Sequence, residues 1–307
     1  MDDFLKALIL EKAQASQILK IELIQELWSG YGQLSRLTLN NKSVILKLIQ
    51  FPKNSSHPRG WNSQFSHERK KKSYQVETHW YQNSANPISG ARTAQLIASG
   101  RQENYSYLIL EDLRNSNFLP KASINKEERQ RCLSWLAHFH RTNLAKEPDG
   151  LWKIGTYWHL ETRPQELEAL KDEDLKKAAP LIDQKLNRAK FQTLVHGDAK
   201  LSNFLFNESE AAAVDFQYIG GGIGLKDVAY FLSSIFQEEE LGRYEKECLE
   251  YYFKKLNLPE VEEEWRELYS FVWCDFYRFL LGWSPGHYKI NSYSLKMKES
   301  VISSLEL

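Results

Sequence analysis

The stretch LVHGDAKLSNFLFNESEAAAVDF, residues 194–216, admits few folds. Residues 204–206 (FLF) and 211–216 (AAAVDF) are two short apolar runs joined by Asn207-Glu208-Ser209-Glu210. Runs this short, separated by turn formers, read as a β-hairpin bending about Glu208 and Ser209. Folding there sets Asn203, at the start of one strand, nearly opposite Asp215, at the end of the other. Asp198 lies on the loop leading in, so three polar side chains of one local segment converge on one mouth. Asn203 and Asp215 offer oxygen ligands of the kind that a hard cation such as Mg²⁺ takes beside phosphate oxygens. Asp198, not needed as a ligand, is free to accept a proton from a hydroxyl, which is the division of labour in phosphoryl transfer. The spacing D-x-x-x-x-N, with a further Asp downstream on a strand, matches a kinase catalytic loop.

Each residue also has a plainer reading. Asp198 and Asn203 could be turn formers alone, but the placement of Asp215 opposite them weighs against this. His196 could be half of a metal site, yet no second His or Cys stands at ligand spacing. It is read instead as a brace for the loop. Asp227, ahead of the apolar run VAYFL, could cap a helix.

HGDAKLSN, then VDFQ, then LKDVAYFL together resemble the choline kinase/aminoglycoside phosphotransferase superfamily. The DFQ variant and GWSPGH are similar to its ecdysteroid kinase-like branch in particular. The resemblance implies an α+β, bilobal, protein-kinase-like fold over about residues 20–290, with ATP phosphorylating the hydroxyl of a small molecule. It implies Asp198 as the catalytic base, Asn203 and Asp215 as the Mg²⁺ ligands, and Asp227 as a hydrogen-bond partner of the catalytic-loop backbone. His-Gly-Asp for His-Arg-Asp, and Asp-Phe-Gln for Asp-Phe-Gly, argue against an ordinary protein kinase. So does the short link IGGGIG, which leaves no room for an activation loop that could dock a peptide.

The texture of the chain agrees with two lobes, residues 1–113 and 114–307, meeting near 111–117. Residues 1–20 read as a helix with Phe4, Leu5, Leu8 and Ile9 on one side, and strand-like segments run from Ile21 to Phe51. LTLNNKSVILKLI has hairpin chemistry at Asn40-Asn41-Lys42. A polar, basic loop over 52–72 leads into a helix through SYQVETHWYQNSA, followed by strands in AQLIAS and YSYLILEDL. Helices are expected at Lys126–Thr142, Gln165–Arg188 with a break at Pro180, Leu225–Phe236, Leu241–Leu256 and Val261–Trp283.

If the chain is a kinase, the first lobe must supply a phosphate lysine, an acidic partner and a covering loop. SVILKLI puts Lys47 in a β-rich run much like a V-A-I-K strand; the alternative is a solvent-facing strand lysine. Glu77, a few residues before Trp80-Tyr81 as in the family, is the preferred partner over Glu68, which stands in the charged run HERKKK. SGYGQLS offers Gly30 and Gly32 for the covering loop, with Ser35 where a stricter pattern has glycine. Backbone around Leu110, Glu111 and Asp112 would meet adenine. Lys53–Lys72 could be a flap over phosphates or a solvated face.

In the family the acceptor pocket lies in the C-terminal region. There Asp275 and Trp273, among many aromatic residues, are the expected substrate contacts, with Arg278 as a partner for the carboxylate. The aromatic and only mildly acidic composition leans away from polycationic aminoglycosides.

Composition narrows the remaining classes. Forty basic and forty acidic residues in 307 give no net charge, and hence no electrostatic case for nucleic acid or an anionic membrane. Three cysteines without a CxxC pair suit a reducing compartment. The acidic start MDDFLKALILEK is a poor signal peptide, and no apolar run approaches a membrane span. A cytoplasmic small-molecule kinase is the expectation. The alternative is a catalytically inactive nucleotide-binding module of the same fold.

Overall fold

The computed structural model describes residues 1–27, 30–51, 64–83 and 88–305. Helix α1 (Asp3–Ala13) packs Leu5, Ile9 and Ala13 against the first sheet and ends where Gln14 turns left-handed, φ 54°. Strand β1 (Ile18–Glu26) begins four residues later, so the helix expected over residues 1–20 is shorter than read. The alternation of Leu19, Ile21 and Leu23 belongs to a strand paired with the next one.

Strands β2 (Gly32–Leu39) and β3 (Ser43–Ile49) form the expected hairpin. Helix α2 (Gln64–Asn83) starts earlier than the apolar spacing suggested, taking in half of the basic run. Residues 52–63 of that run, and Ser29 of SGYGQLS, lie outside the described residues. Then follow β4 (Arg92–Thr93), β5 (Leu96–Arg101) and β6 (Ser106–Glu111). The first sheet is antiparallel with order β1-β2-β3-β6-β5.

A 3-10 turn at Leu113–Ser116 leads through β7 (Leu119–Pro120) to α3 (Lys126–Thr142), which opens on a capping box between Asn125 and Glu128. Helices α4 (Pro164–Glu168) and α5 (Glu173–Asn187) replace the single expected helix. The break falls at residues 169–172, where Asp172 caps α5, and not at Pro180, which sits inside the helix. Pro180 lies on the exposed face of α5, while Ala178, Ala179 and Ile182 around it are buried and hold the helix together through tertiary packing.

Strands β8 (Thr193–Val195), β9 (Phe204–Phe206), β10 (Ala211–Ala213) and β11 (Gly220–Gly222) frame the segment that carries Asp198, Asn203 and Asp215. After them come α6 (Leu225–Ile235), α7 (Glu238–Leu256), α8 (Pro259–Trp283) and α9 (Ser292–Ser304), the last not foreseen. The fold is α+β, a sheet region followed by a helical one, and the two share a core. β4 crosses to pair with β10. From α2, Trp80 is buried and stacks on Phe216 at 5.3 Å while meeting Phe139 edge-on. Glu77 is thereby fixed relative to Asp215 by aromatic packing across the lobes.

Candidate active site

The hairpin sets the geometry. Ala211 pairs with Phe206 and Ala213 with Phe204, and Val214 N–H donates to Asn203 O at 3.0 Å. The side-chain oxygen of Asn207 accepts from the N–H groups of Ser209 and Glu210, holding the turn. Asp198, Asn203 and Asp215 are thus brought to one mouth. Asn203 Nδ2 donates to the backbone O of Asp198 at 2.8 Å and to its Oδ2 at 3.0 Å. Lys200 Nζ lies 3.1 Å from the same carboxylate oxygen. Burial pushes the Asp198 carboxyl above its ordinary range, with Lys200 opposing and Asp215 adding to the shift.

His196 is a brace. Its Nε2 donates to Val214 O at 3.0 Å, and its Nδ1 accepts from the Asp198 N–H at 3.2 Å. The two bonds call for the tautomer protonated at Nε2. Asp227, fully buried, accepts the N–H groups of His196 and Gly197 at 2.6 and 2.9 Å and also meets His140 Nε2 at 3.1 Å. It pins the loop and does not cap its own helix. The glycine of His-Gly-Asp has a steric cause. Gly197 has φ +79°, and a Cβ there would stand 2.1 Å from the carbonyl oxygen of Tyr218. No side chain fits.

Across the mouth, Lys47 of β3 is buried with its Nζ 2.7 Å from Glu77 and 3.2 Å from Asp215. Burial alone would lower the lysine pKa, but the two carboxylates outweigh it and raise it. Glu68, the competing partner, pairs with Lys71 at the surface. Asp215 takes a left-handed φ of 68°, an outlier of the kind that recurs at functional sites. Burial alone would raise its carboxyl, but Lys47, Lys70 and Lys200 hold it down, at about 2.

Sequence reading missed three of these polar neighbours. Gln217 Nε2 donates to Asp215 Oδ1 at 2.6 Å, and Lys70 Nζ donates to Gln217 Oε1 at 2.7 Å. Lys200 was visible inside HGDAKLSN, two residues beyond Asp198, while Lys70 was hidden in a run read as a flap or a solvated face. Gln217 gives the Asp-Phe-Gln variant a physical meaning: it ties Asp215 to α2.

The donor set suits a hard divalent cation. With Nδ2 of Asn203 turned to Asp198, its Oδ1 is left on the opposite side. Lys47 and Gln217 engage only Oδ1 of Asp215. Two protein oxygens at a cleft are what Mg²⁺ accepts when phosphates and water complete its shell. Among the described residues there is no group of three or more His, Cys, Asp or Glu that could hold a metal by itself.

These groups line a cleft of about 810 Å³ between the sheet and the helical region, within the usual range for a small-ligand site. Ile45, Ala94, Leu110 and Val214 supply apolar lining. Leu110, Glu111 and Asp112 line the cleft where β6 ends. Glu111 N–H donates to Gln95 O at 2.9 Å, and its carboxylate pairs with Arg92. Asp112 binds Arg36 and Ser43, each at 2.6 Å. Gly30 and Gly32 flank the β1–β2 connection without lining the cleft, and Glu22–Gln25, Leu27 and Tyr31 line it instead. Gly32, φ +125°, is required because a Cβ would meet Leu48 O at 2.0 Å, so sheet packing accounts for it.

Asp275 and Trp273 do not reach the cleft. Both lie on the buried part of α8. Asp275 accepts from Arg278 at 2.7 Å and from Trp158 Nε1 at 3.1 Å, and Trp273 packs edge-on against Tyr293. The pairing with Arg278 is as expected, but it makes Asp275 an internal strut. The cleft is also lined by Tyr157, Tyr218, Tyr230, Phe279, Trp283, Arg69, Arg163 and Glu166. The segment carrying Tyr157 is held against the His196–Asp198 loop, with Thr156 N–H on Tyr218 O and Tyr157 N–H on Gly197 O, each at 3.2 Å.

Residues 153–261 match the ecdysteroid kinase-like family. That span holds the loop from His196 to Asn203, the hairpin and α6. The resemblance read from HGDAKLSN, VDFQ and LKDVAYFL is borne out. No curated protein matches the chain. Among solved structures, the choline kinase of Streptococcus pneumoniae superposes with a TM-score of 0.53 at 14% identity, covering 99% of both chains. A microcompartment-associated aminopropanol kinase gives 0.55 at 15%, over 98% of this chain and 94% of that one. An amicoumacin kinase in complex with AMP-PNP and Ca²⁺ gives 0.53 at 15%, over 100% and 96%. At such identities the likeness establishes the fold. The fold is kinase-like.

Proposed function

We propose that this chain is an ATP- and Mg²⁺-dependent phosphotransferase acting on a hydroxyl of a small molecule. One observation carries the reading: a buried ammonium, Lys47, bridges Glu77 and Asp215 on one side of a mouth whose other side holds Asp198, Asn203 and Lys200. Lys47, fixed by Glu77, would hold the α- and β-phosphates of ATP in the cleft. Mg²⁺, bound by Asn203 Oδ1 and the Asp215 carboxylate, would neutralise phosphate charge. Asp198 would orient the acceptor hydroxyl and receive its proton as the oxygen attacks the γ-phosphorus and the bond to ADP breaks. Positioning and fixed charge supply most of the catalysis in such a reaction.

A small acceptor is favoured over a peptide. Between Phe216 and α6 the chain goes straight into β11, which pairs with β8, and no activation segment intervenes. A catalytically inactive nucleotide-binding module would need Lys47 but would have no use for the Asp198–Asn203–Lys200 arrangement. The buried free thiols Cys132, Cys248 and Cys274 suit a reducing, cytoplasmic setting. Among the described residues no helix is long and apolar enough to cross a membrane.

The test is Mg²⁺-dependent ATP consumption against a pooled panel of small hydroxyl compounds, with Asp198→Asn alongside. Acceptor-stimulated turnover lost in the variant supports the proposal. Failure to bind Mg-ATP overturns it.

A further inference from the structure

The acceptor end of the cleft carries a charge imbalance that the phosphoryl-transfer groups do not explain. Two guanidiniums, Arg69 and Arg163, line it, and among the described residues the carboxylate beside them, apart from Asp198 itself, is Glu166. Glu166 is buried and belongs to Arg163, whose Nη1 donates to it at 3.1 Å. Arg69 reaches across from α2 to donate to the backbone O of Thr162 at 2.7 Å. Among the described residues no carboxylate stands within ion-pair distance of it. Burial and the neighbouring Arg163 lower its pKa to about 10, outweighing the attraction of Tyr218 and Glu166. A partly buried cation facing a like charge is a poor arrangement for an empty site and a good one for receiving an anion.

That anion is not the ATP phosphate tail. Adjacent residues on a helix point about 100° apart, and it is Lys70, next to Arg69, that turns toward Gln217 and Asp215. Arg69 turns the other way, to the Thr162 loop beneath the aromatic wall.

The wall is the second observation. Tyr157 meets Phe279 edge-on at 5.4 Å and Tyr218 at 5.9 Å, while Phe279 stacks on Trp283 at 5.7 Å. Arg163 lies 5.1 Å over the Phe279 ring, so its planar face is already occupied. The backing is rigid. A Cβ at Gly282 would stand 1.9 Å from Glu166 O, so α4 and α8 are in backbone contact behind the wall.

We infer that the acceptor is an aromatic or flat apolar alcohol bearing an anionic group, its hydroxyl directed to Asp198, its ring against Tyr157 and Tyr218, which Phe279 backs, and its charge received by Arg69. The inference rests on the kinase reading above and narrows it: quaternary ammonium alcohols and polycationic sugars would face the two arginines with only Glu166, paired with Arg163, and Asp198, paired with Lys200, to answer them.

The experiment uses the full chain loaded with Mg-AMP-PNP and three alcohols of one shape: 4-(hydroxymethyl)benzoate, benzyl alcohol and 4-(aminomethyl)benzyl alcohol. Affinities are measured by ligand-observed NMR or calorimetry. The carboxylate is expected to bind about tenfold or more tighter than the neutral alcohol, the worth of one charge-assisted hydrogen bond, and the amine weakest. Arg69→Met should erase that advantage, while Arg69→Lys, which keeps the charge, should retain most of it. Melting curves of both variants report on folding. Any order in which the carboxylate is not the tightest binder, no detectable binding included, overturns the inference, as does an advantage that survives Arg69→Met. Failure of Mg-AMP-PNP itself to bind is a separate outcome and defeats the kinase reading on which the inference stands.

Discussion

Replacing Asp227 by asparagine leaves its shape and removes its charge, at a site where the structure fixes what must follow. The carboxylate is fully buried and accepts the His196 N–H at 2.6 Å, the Gly197 N–H at 2.9 Å and a His140 contact at 3.1 Å. The amide that replaces it in Asp227→Asn has one acceptor oxygen, so its NH₂ would face a backbone N–H. One charge-assisted hydrogen bond is lost, roughly 1.5–3 kcal/mol, and one buried N–H is left unpaired, roughly 1–3 kcal/mol more. A destabilisation of about 3–5 kcal/mol should lower the melting temperature by about 10 °C. The loop that slackens carries Asp198, so kcat should fall while Mg-ATP affinity, set largely at Lys47, changes little. Thermal melts and nucleotide titrations on the same preparations read both. A melting temperature within about 2 °C of the unaltered chain would refute the account of Asp227 as the pin of the catalytic loop.

Asp198→Asn should reduce turnover by about 10²–10⁴-fold, the range for a lost general base, measured as acceptor-dependent ADP release. The same variant should melt at or above the parent near neutral pH. Burial raises the Asp198 pKa above its unfolded value, so the ionised form is a stability burden there that the amide removes; a clear drop in melting temperature would contradict this. Asp215 has the opposite sign. Its folded pKa of about 2 lies below its ordinary value of 3.8, so its contribution is present above about pH 4 and lost as pH falls toward 2. Asp215→Asn should therefore flatten the acid limb of a melting-temperature profile. Lys47→Met and Glu77→Gln should each destabilise the chain, and the double variant should fall short of their sum by about 1 kcal/mol or more, read from denaturant unfolding.

Local chemistry made the centre of the site legible. Asn207 and its neighbours specify a tight turn, so Asn203 and Asp215 had to come together, and Asp198 with them. The fold class followed from a strand-rich first third and a helical remainder. Elements set by partners were read less well. Residues 14–20 look helical by apolar content, but pairing with β2 makes Ile18 onward a strand. Pro180 looks like a breaker, but the buried face of α5 on either side of it, Ala178, Ala179, Ile182 and Leu186, keeps the helix whole.

The acceptor end lay beyond the sequence for the same reason. Asp275 and Trp273 stand among aromatic residues in the chain, yet α8 turns them inward, and an internal arginine closes the charge. Arg69, Arg163, Tyr157 and Phe279 come from α2, the segment before α4, and α8, and nothing in their spacing announces a shared wall. The sequence by itself determined the hairpin, the catalytic loop and the lysine strand, because a turn or a strand aligns residues a few positions apart through local backbone geometry. That Lys47 also meets Asp215, why residue 197 must be glycine, and which side chains wall the cleft beyond Asp198 were decided only by the tertiary structure. Each depends on how closely two distant stretches of backbone can approach, and a linear pattern does not encode that distance.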